Sequence, residues 1–212
     1  MKKLTLIIIF ILTILFSHGQ KKELFVNDDF ENISKFEFDK KSNNPLDYNL
    51  RFDLDSCFLN VKVLRYKEDK IDIKLLNKIK TTLSTTSQLE IKSDDILIIN
   101  YYPGNDPCST TGYKENFKNM YKKYHRKIDK LKNVKQFFIY KSKDNIDKFG
   151  SKINWLLDEN NLIENTFYPI NYPCGGYVII DKKGNYTSQR GEYCYSYSLI
   201  KKLKDIANNG YM

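Results

Sequence analysis

Four cysteines carry most of the reactive chemistry open to this chain: Cys57, Cys108, Cys174 and Cys194. A thiolate is a nucleophile, and two thiols that meet can close a disulfide. None of the four stands three positions from another, and the only histidines are His18 and His125. Zinc sites are built from close Cys or His pairs, so no metal site is expected, and nothing in the sequence asks for a cofactor. Cys108 lies in the stretch PGNDPCSTTG, residues 103–112, whose Pro, Gly, Asn and Asp stop both helix and strand. Cys174 lies between Pro173 and Gly175.

Whether these thiols oxidise depends on compartment, and the amino end speaks to that. Lys2 and Lys3 precede a mostly apolar run, Leu4 to Phe16, followed by Ser17 and Gly19 around His18. A charged end, a greasy core and small residues form the order of a secretory signal, with cleavage expected before Gln20. The run is shorter than the roughly 20 residues that cross a bilayer, so no stable membrane insertion is expected after cleavage. No Cys follows it to take a lipid. The chain is therefore read as exported, to the periplasm or outside the cell, where an even number of cysteines favours at least one disulfide.

Removal of residues 1–19 leaves about 190 residues, enough for one well-buried core. The full chain holds 35 Lys and Arg against 26 Asp and Glu. Only Arg51, Arg65, Arg126 and Arg190 are arginines. Lysine is the poorer residue for bidentate phosphate recognition, and here it is scattered among acids and amides, so nucleic acid is not an expected partner.

The elements that must position the cysteines are legible from periodicity. Tyr48, Leu50, Phe52 and Leu54 alternate with polar residues, and Cys57 to Arg65 is rich in large and β-branched residues, so a hairpin is expected about Asp55 and Ser56. Asp72 is placed to cap a helix with Ile73, Leu76, Ile79 and Leu83 on one face, and the polar residues Ser84 to Ser87 read as a seam. Ile96 to Tyr102 (ILIINYY) is a central strand by its nearly continuous apolar character. Phe117, Met120, Tyr121, Tyr124, Ile128 and Leu131 predict a helix, and Val134 to Lys141 a second buried strand parallel to the first. Ile153, Trp155, Leu156 and Leu157 suggest another helix, interrupted by Asn160 and Asn161. Tyr177 to Asp181, a turn through Gly184, and Tyr186 to Arg190 read as a hairpin, and a last helix carries Leu199, Ile200, Leu203, Ile206 and Ala207.

From residue 93 onward this order resembles the thioredoxin fold. The segment NYYPGNDPC, Asn100 to Cys108, is similar to the strand end and active-site loop of exported thioredoxin relatives. GGYVIIDKKGNY, Gly175 to Tyr186, is similar to their following hairpin. The whole resembles a group of exported flavobacterial proteins. The resemblance implies an α/β, three-layer thioredoxin-like domain over 93–212 with a central mixed sheet. Residues 20–92 would be a hairpin and helix extension.

The resemblance also implies where exchange chemistry would sit, and this chain departs there. A dithiol oxidoreductase needs a nucleophilic Cys and a resolving Cys three positions on. The corresponding residues are Asn105, Asp106, Pro107 and Cys108, after Pro103 and Gly104, so only the resolving position keeps its sulfur. Gly175 stands where relatives have a proline beside the site, which implies that Cys108 and Cys174 approach each other. As a permanent disulfide the pair would close about 66 residues and contribute ~4 kcal/mol in the chain-entropy account. Cys57 and Cys194 remain either a second disulfide or two free thiols.

Three functions are compatible with these features. The first is a disulfide-stapled binding or structural module that meets an envelope or secreted protein, with Tyr168, Tyr172, Tyr193, Tyr195 and Tyr197 as a candidate surface or as core packing. The second is a thiol-disulfide oxidoreductase using Cys108 and Cys174 as catalytic cysteines. The third is a peroxidase, since YYPGNDPC is also similar to the peroxiredoxin loop. That loop is two residues longer, has a Thr three before its Cys where this chain has Asn105, and pairs with an Arg where this chain has Gly175.

Overall fold

The computed structural model describes residues 21–105, 124–149, 151–191, 199–203 and 206. They form two compact units divided between Val63 and Leu64.

In the first unit, strands β1 (Lys22–Asn27), β2 (Tyr48–Asp53) and β3 (Cys57–Val63) make a sheet of order β1-β3-β2. The expected hairpin is present: β2 runs antiparallel to β3, and Leu54 N–H donates to the Cys57 carbonyl across the turn. Alternation then sorts the residues. Leu24, Val26, Cys57, Leu59, Val61, Val63, Leu50 and Phe52 share one face with Lys22 and Tyr48, and the other carries Glu23, Asn60, Lys62, Asn49 and Arg51 with the aromatics Phe25 and Phe58. A one-turn helix, Lys35–Asp39, is held by a capping box in which Ser34 and Glu37 satisfy each other's backbone N–H.

The second unit holds a six-stranded sheet of order β4-β9-β8-β5-β6-β7, made of β4 (Tyr66–Lys70), β5 (Ile96–Tyr102), β6 (Val134–Tyr140), β7 (Trp155–Leu157), β8 (Gly176–Ile180) and β9 (Asn185–Arg190). β5 is parallel to β6 and antiparallel to β8, and β8 pairs antiparallel with β9. Residues 124–128, between β5 and β6, are helical. The sheet separates two apolar layers. On one side Ile98, Tyr102, Phe138, Tyr140, Tyr177 and Ile179 pack with Tyr124, Ile128, Leu199 and Leu203. On the other, Ile139 and Leu156 line a small gap with Leu83 of the helix Ile73–Ser87 and with Leu162 and Ile163 of the helix Leu162–Phe167. Taken in chain order, the four strands β5, β6, β8 and β9 lie as fourth, third, first, second, with the first two parallel. That is the thioredoxin arrangement, and the unit is thioredoxin-like.

Several expectations are corrected. The chain does not divide after residue 92. The strand β4, YKEDK, hydrogen-bonds along β9, so it and the helix after it belong to the second unit. The helix Ile73–Ser87 runs straight through the Ser/Thr stretch, where Thr86 and Ser87 hydroxyls donate to the carbonyls of Thr82 and Leu83. Ile73 is 54% exposed and is not on its buried face. Trp155–Leu157 is a strand rather than a helix, because pairing with Phe138–Tyr140 uses its backbone. The helix comes later, after Asn160 and Asn161, both in left-handed conformation at φ 54° and 52°.

The Asp72 cap is as expected, its carboxylate accepting from Leu75 N–H at 2.7 Å. Phe117, Met120, Tyr121 and Ala207 lie outside the described residues, as does the apolar run 4–16. Among the described residues no helix is long and apolar enough to cross a membrane.

Candidate functional site

β5 delivers Tyr102 to the edge of the candidate loop, and the segment after β6 anchors both that strand end and the start of the loop. Lys141 N–H donates to the Tyr102 carbonyl, and the Tyr102 hydroxyl donates to the Asp144 carbonyl at 2.6 Å. Gly104 sits at φ +113°, and a Cβ there would stand 2.8 Å from Ser142 Cβ. Asn105 accepts a hydrogen bond from the Asn145 amide at 2.8 Å. The Asn105 side chain, which the sequence resemblance alone sets in the place of an attacking cysteine, is thus an amide engaged by another amide. Asp106, Pro107 and Cys108 lie outside the described residues, as do Tyr193, Cys194, Tyr195 and Tyr197.

Opposite the loop, Cys174 occupies the turn that leads into β8. It is half-buried, has φ +65°, and is disulfide-bonded to a partner outside the described residues. Gly175 follows at φ +70°. A Cβ on Gly175 would lie 2.2 Å from the Tyr101 carbonyl oxygen and 3.2 Å from Pro103 Cδ. The residue expected beside the loop therefore packs directly against it, and only the absence of a side chain permits the approach. Gly191 N–H donates to the Gly175 carbonyl at 2.8 Å and ties this turn to the end of β9.

Cys57 is elsewhere, on β3 of the first unit, as a buried free thiol. Of its two expected states the free one is present, and as a disulfide candidate it is set aside. It is buried on β3, paired across the sheet with Lys22 at the start of β1 and sharing its face with Leu59, Val61 and Val63.

Beneath the turn lies a cluster of buried tyrosines. Tyr101 stacks on Tyr168 with centroids 4.6 Å apart and planes 7° from parallel, Tyr168 meets Tyr172 edge-on at 6.3 Å, and the Arg190 guanidinium lies 5.5 Å from the Tyr172 ring. Tyr168 is 1% exposed and Tyr172 2%. The two therefore act as packing and offer no ligand surface. Burial pushes the Tyr168 phenol well above its ordinary value, and burial followed by the charges of Glu164 and Asp158 does the same to Tyr101. Neither hydroxyl is a proton donor or acceptor for chemistry near neutral pH.

Two positioning contacts were not anticipated. Asn100, in the middle of an apolar strand, donates to the Phe137 carbonyl at 3.0 Å and accepts from the buried Tyr124 hydroxyl at 2.9 Å. It joins β5 to β6 and to the helical segment 124–128. A lone amide within ILIINYY is the signal that could have found it. Asp158, 5% exposed, accepts from the N–H groups of Ile163 and Glu164 at 2.9 and 2.8 Å and caps the helix that carries Tyr168 at its end.

No known family profile and no curated protein matches the chain. Among solved structures it is similar to the thioredoxin domain of a thiol-disulfide oxidoreductase from Bacteroides vulgatus, at 14% identity over 68% of this chain and 94% of that one, with a TM-score of 0.36. It is also similar to a secreted disulfide oxidoreductase of Mycobacterium tuberculosis, at 12% identity over 56% of this chain and 83% of that one, with a TM-score of 0.33. The order and direction of the described strands make the second unit thioredoxin-like in its own right.

Proposed function

We propose that this is an exported thioredoxin-like module whose disulfide through Cys174 is a staple, and that the protein binds or supports an envelope or secreted partner rather than exchanging thiols. The observation that carries the reading is the oxidised Cys174 set in a left-handed turn whose next residue is packed against Tyr101 and Pro103. Exchange needs an attacking thiolate, and Asn105 holds that position. We assign Cys108 as the partner of Cys174.

Peptide mapping of the unreduced protein, followed by measurement of the bond's reduction potential, tests this. A Cys108–Cys174 bond with a potential below about −300 mV supports a structural staple. A potential near about −200 mV would overturn it in favour of an oxidoreductase, the alternative that the half-exposed position of Cys174 favours. Mapping of Cys174 to Cys194 would remove the loop from the site altogether.

A further inference from the structure

The first unit carries a groove that the staple leaves unexplained. It has a volume of about 410 Å³ and is walled by the end of the helix Lys35–Asp39, the segment from Lys40 to Asp47, and the sheet positions Tyr48, Asn49 and Lys62. That is the size range of small-ligand sites.

The groove is built before any ligand arrives. Lys62 Nζ donates to the carbonyls of Glu37 and Lys40 at 2.7 and 2.6 Å, tying helix end to strand. The segment beyond is cross-linked on itself. The Ser42 hydroxyl and the Asn44 amide both donate to the Asp47 carboxylate, Asn44 N–H donates to the Ser42 hydroxyl, and Leu46 N–H donates to the Asn44 side chain. The donors to Asp47 are neutral, so its carboxylate keeps its charge at the groove wall. Asp47 is engaged as described, and Asp39 pairs with Lys35 at 2.5 Å.

Among the described residues the Lys40 and Lys41 ammonium groups make no ion pair or hydrogen bond, and the Asn49 amide makes no hydrogen bond. The groove thus presents three lysines, Lys40, Lys41 and Lys62, against Asp39 and Asp47, with Glu37 in electrostatic reach of Lys40 and Lys62, and an open amide beside two half-buried aromatics, Phe38 and Tyr48. A carboxylate suits the lysines, hydroxyls suit the amide, and a compact ring suits the aromatic walls and the volume.

We infer that this groove binds a small carboxylated sugar, of the chemistry of a hexuronic acid. The test is a titration of the isotope-labelled whole protein, followed by amide chemical shifts, with D-glucuronate, D-glucose and acetate as probes. Saturable shifts confined to residues 38–49 and 62 are expected with glucuronate, with affinity at least about tenfold weaker for glucose and for acetate. A Lys40→Gln, Lys41→Gln double variant is expected to lower glucuronate affinity by about tenfold or more with its spectrum elsewhere unchanged, which shows the fold intact.

An equal response to acetate would overturn the sugar assignment, and an equal response to glucose would overturn the role of the lysines. Absence of shifts with all three probes would overturn the site. None of these outcomes depends on the state of Cys174.

Discussion

Gly175 approaches Tyr101 so closely that its absent Cβ would lie 2.2 Å from the Tyr101 carbonyl oxygen, which is backbone and cannot step aside. Gly175→Ala meets that clash at φ +70°, so two costs act together. The variant is expected to lose at least about 2 kcal/mol of stability, read as a lower urea midpoint. Gly104→Ala is strained as well, at φ +113°, but should cost less because its clash at 2.8 Å is with the Cβ of the small, half-buried Ser142 side chain rather than with backbone. Equal losses at the two positions would mean that the turn can shift away from β5.

Much of the second unit was legible because burial on both faces writes itself into composition. ILIINYY could only be a central strand, and Gly184 at φ +86° ends the last hairpin as its place in KKGN implies. β4 was not legible. YKEDK has no apolar alternation, since an edge strand can be polar and is defined by its partner; here the partner is β9, more than a hundred residues away in sequence. β7 failed for the opposite reason. Three residues are too few to show a period, and Ile153, Trp155, Leu156 and Leu157 fit a helix as well as a strand. At the site, the resemblance located Gly175, but the left-handed conformation of Cys174 beside it and the partners of Asn100, Tyr124 and Phe137, depend on three-dimensional neighbours that no spacing encodes.

The Asn100–Tyr124 bond allows a direct measure of what a buried amide contributes. Tyr124→Phe removes the donor of the 2.9 Å bond to the buried Asn100 oxygen, at an expected cost of about 1 to 2 kcal/mol. Asn100→Leu strips the bond to Phe137 as well and should cost more. Because the two side chains share one bond, the double variant should fall short of the sum of the single losses by roughly 1 kcal/mol. Strict additivity in urea titrations would place the Tyr124 hydroxyl on a different acceptor.

Asp158 gives stability a pH dependence of predictable sign. Its burial raises the carboxyl above its usual value of 3.8, against the opposing pull of the helix N–H groups, with Glu164 adding to the rise. Tyr101, which stays neutral, and Glu164, paired with Lys141 at 2.5 Å, are the groups that face it. A carboxyl raised on folding contributes stability that is complete below its unfolded value and is lost as pH rises through the folded one. Relative to Asp158→Asn, the protein should therefore lose stability as pH rises above the ordinary carboxyl value. The asparagine variant begins less stable, because one of the two cap bonds is gone, so the informative quantity is the slope. Parallel pH profiles would show that the carboxyl ionises normally.

Cys57 and Cys174 should answer opposite tests. Cys57 is a buried thiol on β3, so iodoacetamide should label it at least about tenfold more slowly in the native protein than after denaturation. Cys57→Val, which keeps a small apolar side chain there, should cost less than about 1.5 kcal/mol. Cys174 should resist the reagent in both native and denatured protein until a reductant is added, because its sulfur is already bonded. Cys174→Ser releases the cross-link and should cost about 2 to 5 kcal/mol. Rapid native labelling of Cys57 would show its strand opening readily. A Cys174→Ser variant as stable as the parent would leave the disulfide no structural role, and redox chemistry would then become the better reason for its presence.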